Sequence, residues 1–169
     1  MEPGARVLYI DDDAGLRRLT ERALARRGYQ VALAESGAEG LARAAAEPFD
    51  LIAVDHYMPG MDGLETLRRL RELPDTPEIV YVTGSEEGRI AIAALKAGAA
   101  DYVVKTVGED FFDLLAAAFG QVLRRGVLER EKRAAEDSLR TSNARLEALL
   151  KAVNHRVANS LQIVSAMVA

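Results

Sequence analysis

The chain of 169 residues contains no cysteine, so disulfides and thiolate metal sites are excluded. No uninterrupted apolar run approaches the roughly 20 residues that a membrane-spanning helix needs. The N-terminus, "MEPGARVLYIDDD", reaches three acids with no signal-peptide apolar core. These absences predict a cytoplasmic chain with no direct membrane insertion. Neither sign of charge dominates: 22 basic residues stand against 26 acidic ones, for a net charge of -4. That balance gives no electrostatic ground for a nucleic-acid or anionic-membrane partner, and none is expected. Histidine is scarce, with only His56 and His155. The length suits one ordinary domain with an appendage rather than two full domains.

Short apolar runs alternate with helical patterns from residue 6 to about 120. "RVLYI" (6–10), "YQVAL" (29–33), "DLIAV" (50–54), "EIVYV" (78–82) and "DYVVK" (101–105) read as five buried strands. The segments between them repeat apolar residues at three and four, and so read as helices. Gly28 and Gly98 stand at expected helix C-caps, Ser36 and Ser85 at expected N-caps. The alternation predicts an α/β fold with a doubly wound, five-stranded parallel sheet. In such a sheet the ligand site lies beyond the carboxyl ends of the strands.

Proline is absent after Glu109, and so are turn clusters; half of the long stretch that follows is Ala, Leu, Glu, Lys or Arg. A single long helix is expected. Heptad core positions 128, 132, 135, 139, 142, 146, 149 and 153 carry Leu, Lys, Ala, Leu, Ser, Leu, Leu and Val. A lone helix of that length would leave its leucines unburied, so a parallel coiled-coil homodimer is predicted. Gly120 and Gly126, each costing about 1 kcal/mol relative to alanine, mark the expected hinge between domain and coil. The expected divisions are a domain over 1–120, a signalling helix over 121–150 and the start of a further helical element over 151–169.

The strand ends carry the chemistry. Asp11, Asp12 and Asp13 follow the first strand, Asp55 and "HYMPGMDG" the third, Thr83 the fourth and Lys105 the fifth. Crowded carboxylates repel unless a cation sits among them, and hard oxygens with room for water suit Mg²⁺. A lysine and a hydroxyl beside them could hold phosphoryl oxygens, and a carboxylate nucleophile would give an acyl phosphate.

"YIDDD", "VDHYMPGMDG", "YVTGS" and "DYVVKT", in that order and spacing, resemble the receiver domain of bacterial two-component response regulators over residues 5 to about 120. The resemblance implies that Asp55 is the phosphoacceptor and that Asp11, Asp12, Asp55 and the backbone carbonyl of Tyr57 hold Mg²⁺. It further implies that Thr83 and Lys105 contact the phosphoryl group, and that Tyr102 is the aromatic that swings inward with Thr83 on activation. Asp13 reads as an acid at a helix N-terminus, and His56 as incidental. An Asp-nucleophile phosphatase, suggested by Asp11 and Asp13 as D-x-D, lacks the cap or further acidic motifs it would need. The family usually has proline after the lysine, preceded by a cis bond. Here Thr106 stands there; a cis bond before a non-proline residue costs roughly 3–4 kcal/mol, so a trans bond is expected.

Near the end, Leu150, Val153, Val157, Leu161, Val164 and Val168 form an apolar stripe, and His155 lies on the opposite side. "NHRVANSLQIV" resembles the H-R-x-x-N phosphoacceptor box of HWE-type sensor histidine kinases. That resemblance implies His155 as a second phosphoacceptor, with Arg156 and Asn159 framing it on the first helix of a dimeric bundle. Ala152 and Ala158 depart from the acid and the lysine usual in that box. The reading so obtained is the N-terminal part of a histidine kinase whose ATP-binding domain lies past Ala169. Its upstream partner would be a phosphodonor histidine kinase or phosphotransfer protein, and its downstream partner a response regulator. The alternative is a response regulator whose coiled coil is a dimerisation output without kinase activity.

Overall fold

Five runs of aliphatic residues form one sheet in the computed structural model, which describes residues 4–84 and 88–168. The strands are Arg6–Ile10 (β1), Gln30–Ala34 (β2), Leu51–Asp55 (β3), Glu78–Thr83 (β4) and Asp101–Val104 (β5). They stand in the order β2-β1-β3-β4-β5, and each adjacent pair is parallel. The helices are Ala14–Arg26 (α1), Gly37–Ala46 (α2), Gly63–Glu72 (α3), Gly88–Lys96 (α4) and Asp110–Val168 (α5).

The strands read as unbroken apolar runs because both faces of the sheet are covered. Val7, Tyr9, Leu51, Ala53, Val80, Val82 and Val103 pack on one face beneath Leu24 of α1 and Phe111, Leu115 and Phe119 of α5. Leu8, Ile10, Ile52, Val54, Ile79 and Tyr81 pack on the other beneath Leu67 and Leu70 of α3 and Ala94 of α4. Successive strand residues thus serve opposite cores, and reversing the order at β1 and β3 opens the crevice where strand ends converge.

The ends of the elements follow local chemistry. β2 and β3 each start one residue later than the apolar runs suggest. Tyr29 still donates its backbone N–H to Leu24 at the close of α1, and Asp50 uses its side chain to accept from the Arg6 N–H at 2.7 Å. β5 stops at Val104, which leaves Lys105 just past the strand. Ser36 caps α2, accepting from the Glu39 N–H, and Gly28 takes the left-handed conformation (φ 90°) that ends α1. Ser85 lies outside the described residues. No cis peptide bond occurs among the described residues, so the Lys105–Thr106 bond is trans as expected.

The chain divides into two units, Met1–Gly126 and Val127–Ala169. In the first, α5 contributes core residues as far as Val122. Helical structure continues past Gly120 and Gly126 without a break. In the second unit the helix carries Leu139, Leu146, Leu149 and Val153, each more than half exposed in the single chain. The long helix is therefore present; its pairing into a coiled coil is not a feature of one chain.

Candidate functional site

The sheet brings Asp11, Asp55 and Lys105 together at one rim. β1 pairs with β3 up to Ile10 and Val54, so the next residue in each strand is an aspartate on the same edge. Backbone bonds extend the register past the strand ends: Lys105 N–H donates to Thr83 O at 2.8 Å and His56 N–H to Val82 O at 3.0 Å. Asp11 is fully buried, Asp55 is buried and Asp12 is exposed. One carboxylate oxygen from each of the three lies within 4.8 Å of the others. Lys105 Nζ reaches Asp55 Oδ1 at 2.8 Å and Asp11 Oδ2 at 3.0 Å.

Burial raises the Asp55 carboxyl to about 6; the hydrogen bond from Lys105 opposes this, and the Asp11 charge adds to it. For Lys105, burial works against the ammonium, but the hydrogen bond and charge of Asp55, followed by Asp11, outweigh it and raise the group. The two shifts are consistent: Asp55 has one cation against two neighbouring acids, whereas Lys105 has two anions to itself. This excess of negative charge over a single ammonium fits a hard divalent cation with oxygen ligands, and Asp11, Asp12 and Asp55 are the side chains that could hold it.

The remaining predicted residues take distinct places. Thr83, almost fully buried, ends β4 next to the rim, and its hydroxyl donates to Gly84 O at 3.3 Å. Tyr57 directly follows His56 in the loop, its side chain more than half exposed. Tyr102 sits on β5 with 41% of its surface exposed, the outward position from which an inward swing would start. Asp13 caps α1 by accepting from the Leu16 N–H, and that bond lowers its carboxyl. In the second unit, His155 is exposed on α5, and Asn159 Nδ2 lies 3.4 Å from its Nδ1, one turn along. Arg156 is likewise exposed.

Three residues not anticipated from the sequence hold the rim from behind. Arg17 on α1 donates to the Asp11 carbonyl at 2.7 Å. Tyr9, fully buried, donates its hydroxyl to Asp11 Oδ2 at 3.0 Å. On the opposite face of the sheet, the Tyr81 hydroxyl meets His56 Nδ1, so His56 is a buried structural partner rather than incidental. Burial, followed by the Asp11 charge, keeps the Tyr9 phenol well above its usual range; burial does the same for Tyr81. Strand alternation could have exposed the Tyr9–Asp11 contact, because these residues, two apart, share a face.

The family model described as the response regulator receiver domain matches residues 7–118. The chain belongs to this family. Over 133 residues it is 38% identical to the transcriptional regulatory protein AfsQ1 of Streptomyces coelicolor, covering 79% of this chain and 57% of AfsQ1. It is 34% identical over 148 residues to the response regulator MprA of Mycobacterium ulcerans, covering 88% and 62%. The chain thus spans about three-fifths of the length of these curated relatives. Among solved structures, the response regulator protein TrrA from Thermotoga maritima in complex with Mg²⁺-BeF superposes with a TM-score of 0.62 at 30% identity. That match covers 70% of this chain and 98% of TrrA. The receiver assignment and its place in two-component signalling follow. The relatives are named as regulators, which favours the response-regulator alternative over the kinase reading. Among the described residues no helix is long and apolar enough to cross a membrane.

Proposed function

We propose that the chain is the phosphorylatable switch of a response regulator, with Asp55 as phosphoacceptor and α5 as a dimerising output. The carrying observation is the cluster of Asp11, Asp12 and Asp55, two of which, Asp11 and Asp55, hold the Lys105 ammonium. With its carboxyl near 6, Asp55 is about nine-tenths ionised at pH 7, and so is available as a nucleophile. A carboxylate oxygen of Asp55 forms a bond to phosphorus while the donor's P–N or P–O bond breaks. The leaving imidazole or carboxylate keeps the electron pair, and an acyl phosphate results. Bound Mg²⁺ would supply charge neutralisation at the phosphoryl oxygens, held by Asp11, Asp12, Asp55 and the Tyr57 carbonyl. Lys105 and Thr83 bind the phosphoryl oxygens, and Tyr102 moves inward as Thr83 is drawn to them. The upstream donor is a histidine kinase or phosphotransfer protein, and the setting is cytoplasmic.

Acetyl phosphate with Mg²⁺ should label the wild-type chain and leave Asp55→Asn unlabelled. Equal labelling of both would defeat the assignment. We further infer that this chain makes no DNA contact of its own, since its net charge is -4, although AfsQ1 is named a transcriptional regulator.

A second reading rests on one contact, the approach of Asn159 to His155 on an exposed helical face. In this reading α5 leads into a kinase bundle with His155 as phosphoacceptor, and Arg156 and Asn159 beside it. A reading frame continuing past Ala169 into an ATP-binding domain would support it; a stop codon there would end it.

A further inference from the structure

Asp11 is the one carboxylate of the cluster whose side chain has no contact with solvent, so its orientation is set entirely by what donates to it. Oδ1 accepts the Asp13 backbone N–H at 2.9 Å. Oδ2 accepts from two side chains at 3.0 Å, Lys105 Nζ and the Tyr9 hydroxyl. The two donors differ in kind. Lys105 is part-exposed and shared with Asp55, and under the proposed chemistry it turns to the phosphoryl oxygens. Tyr9 is fixed, its ring packed into the core beneath α1 and α5 with no exposed surface. Thr20 lies on the same helix-covered side, fully buried, and its hydroxyl has no partner of normal geometry among the described residues, although it is close enough to favour the ionised phenol. Among the described residues the phenol hydroxyl is thus left with Asp11 as its one well-formed hydrogen bond. A phenylalanine would fill the same core space, so the hydroxyl's effect falls on the carboxylate.

We propose that Tyr9 is a positioning residue of the cation site: its hydroxyl holds Asp11 Oδ2, so that Asp11 offers its carboxylate to a divalent cation in one orientation. The proposal rests on reading Asp11, Asp12 and Asp55 as a Mg²⁺ site. Groups that orient a ligating carboxylate typically change metal affinity about 10- to 100-fold when removed. The role is that of a hydrogen-bond donor and involves no proton release.

The test is a Mg²⁺ titration of the full chain by calorimetry on wild type, Tyr9→Phe and Tyr9→Leu, alongside thermal melts in EDTA. Tyr9→Phe should bind Mg²⁺ about tenfold more weakly while keeping most of its Mg²⁺-free stability. Tyr9→Leu should show the same Kd change with a larger loss of melting temperature. If Tyr9→Phe restores the wild-type Kd and only Tyr9→Leu weakens it, Tyr9 is a packing residue and the proposal fails. Wild type that binds no Mg²⁺ would overturn the underlying site reading instead. Should Tyr9→Phe not fold, the buried hydroxyl proton of wild-type Tyr9 gives a measurement by NMR. Its resonance should move on Mg²⁺ addition, and a fixed resonance would refute the role.

Discussion

Asp55 is the place where function should be visible as a stability cost. Its carboxyl rises from an ordinary value of 3.8 to about 6, mainly because folding removes it from water. The folded state therefore holds this proton more tightly than the unfolded chain does. Stability from this group is greatest below pH 3.8 and is lost as pH rises through about 6. The difference of about 2 units, at about 1.4 kcal/mol per unit, makes the ionised Asp55 cost about 3 kcal/mol at pH 7.5. Asp55→Asn removes that titration and retains the side-chain size. Denaturant unfolding in EDTA should show the stability of Asp55→Asn minus that of wild type growing by about 2.5 kcal/mol between pH 4 and pH 7.5. In thermal melts this corresponds to about 10 °C. Mg²⁺ should shrink the gap at pH 7.5, because it binds the ionised wild-type site more tightly. Stability differences that stay flat within about 1 kcal/mol across that pH range would refute a burial-raised carboxyl, and with it the account of why the pocket favours a cation.

Gly63 begins α3 against the backbone carbonyl of Asp55, the Tyr81 hydroxyl and His56 Cα, where a methyl group has no room. Gly63→Ala should lose about 2 kcal/mol in urea unfolding, as overpacking does, and should weaken Mg²⁺ binding by displacing the loop after Asp55. Phe119, fully buried on α5 with its ring edge-to-face to Tyr29 at 5.7 Å, anchors the helix to the sheet. Phe119→Ala should cost about 3–5 kcal/mol in the same assay. Leu139→Asp with Leu146→Asp should convert a micromolar dimer to monomer in sedimentation while leaving acetyl-phosphate labelling intact; a wild-type monomer would defeat the coiled-coil proposal.

The fold was legible because a sheet covered on both faces writes itself as apolar runs. "DLIAV" and "EIVYV" have no polar alternation to blur them, and each run is followed directly by a residue of the rim, Asp55 and Thr83. What shifted was the first residue of β2 and β3, where Tyr29 and Asp50 spend their polar groups on neighbours distant from the apolar pattern. The Asp50 contact spans 44 residues and the Tyr29 contact is a backbone bond that closes a helix, and neither leaves a periodic trace. The long α5 was equally plain from the absence of proline and turn residues, but a single chain's helix does not reveal which surface buries Leu139 and Leu146. Under the proposed dimer, a second copy of the chain covers them.

The site was legible in its acids and hidden in its supports. Asp11, Asp12, Asp55 and Lys105 appear at strand ends, where topology alone brings them together. Tyr9 and Tyr81 sit inside strands, where an aromatic reads as core, and core they are by area. Their hydroxyls change that reading. In β1 and β4 alike, the buried ring carries its one polar atom to the end of the strand that holds the rim, to Asp11 on one face and to His56 on the other. A buried hydroxyl without a partner costs about 1–3 kcal/mol, so each tyrosine favours the arrangement that keeps its partner in place. The constraint runs both ways. Under the proposed switch, Asp11 and the loop after Asp55 are each tied to a fully buried ring, whereas Lys105 is part-exposed and bonded to the two carboxylates it would leave, and Tyr102 faces outward.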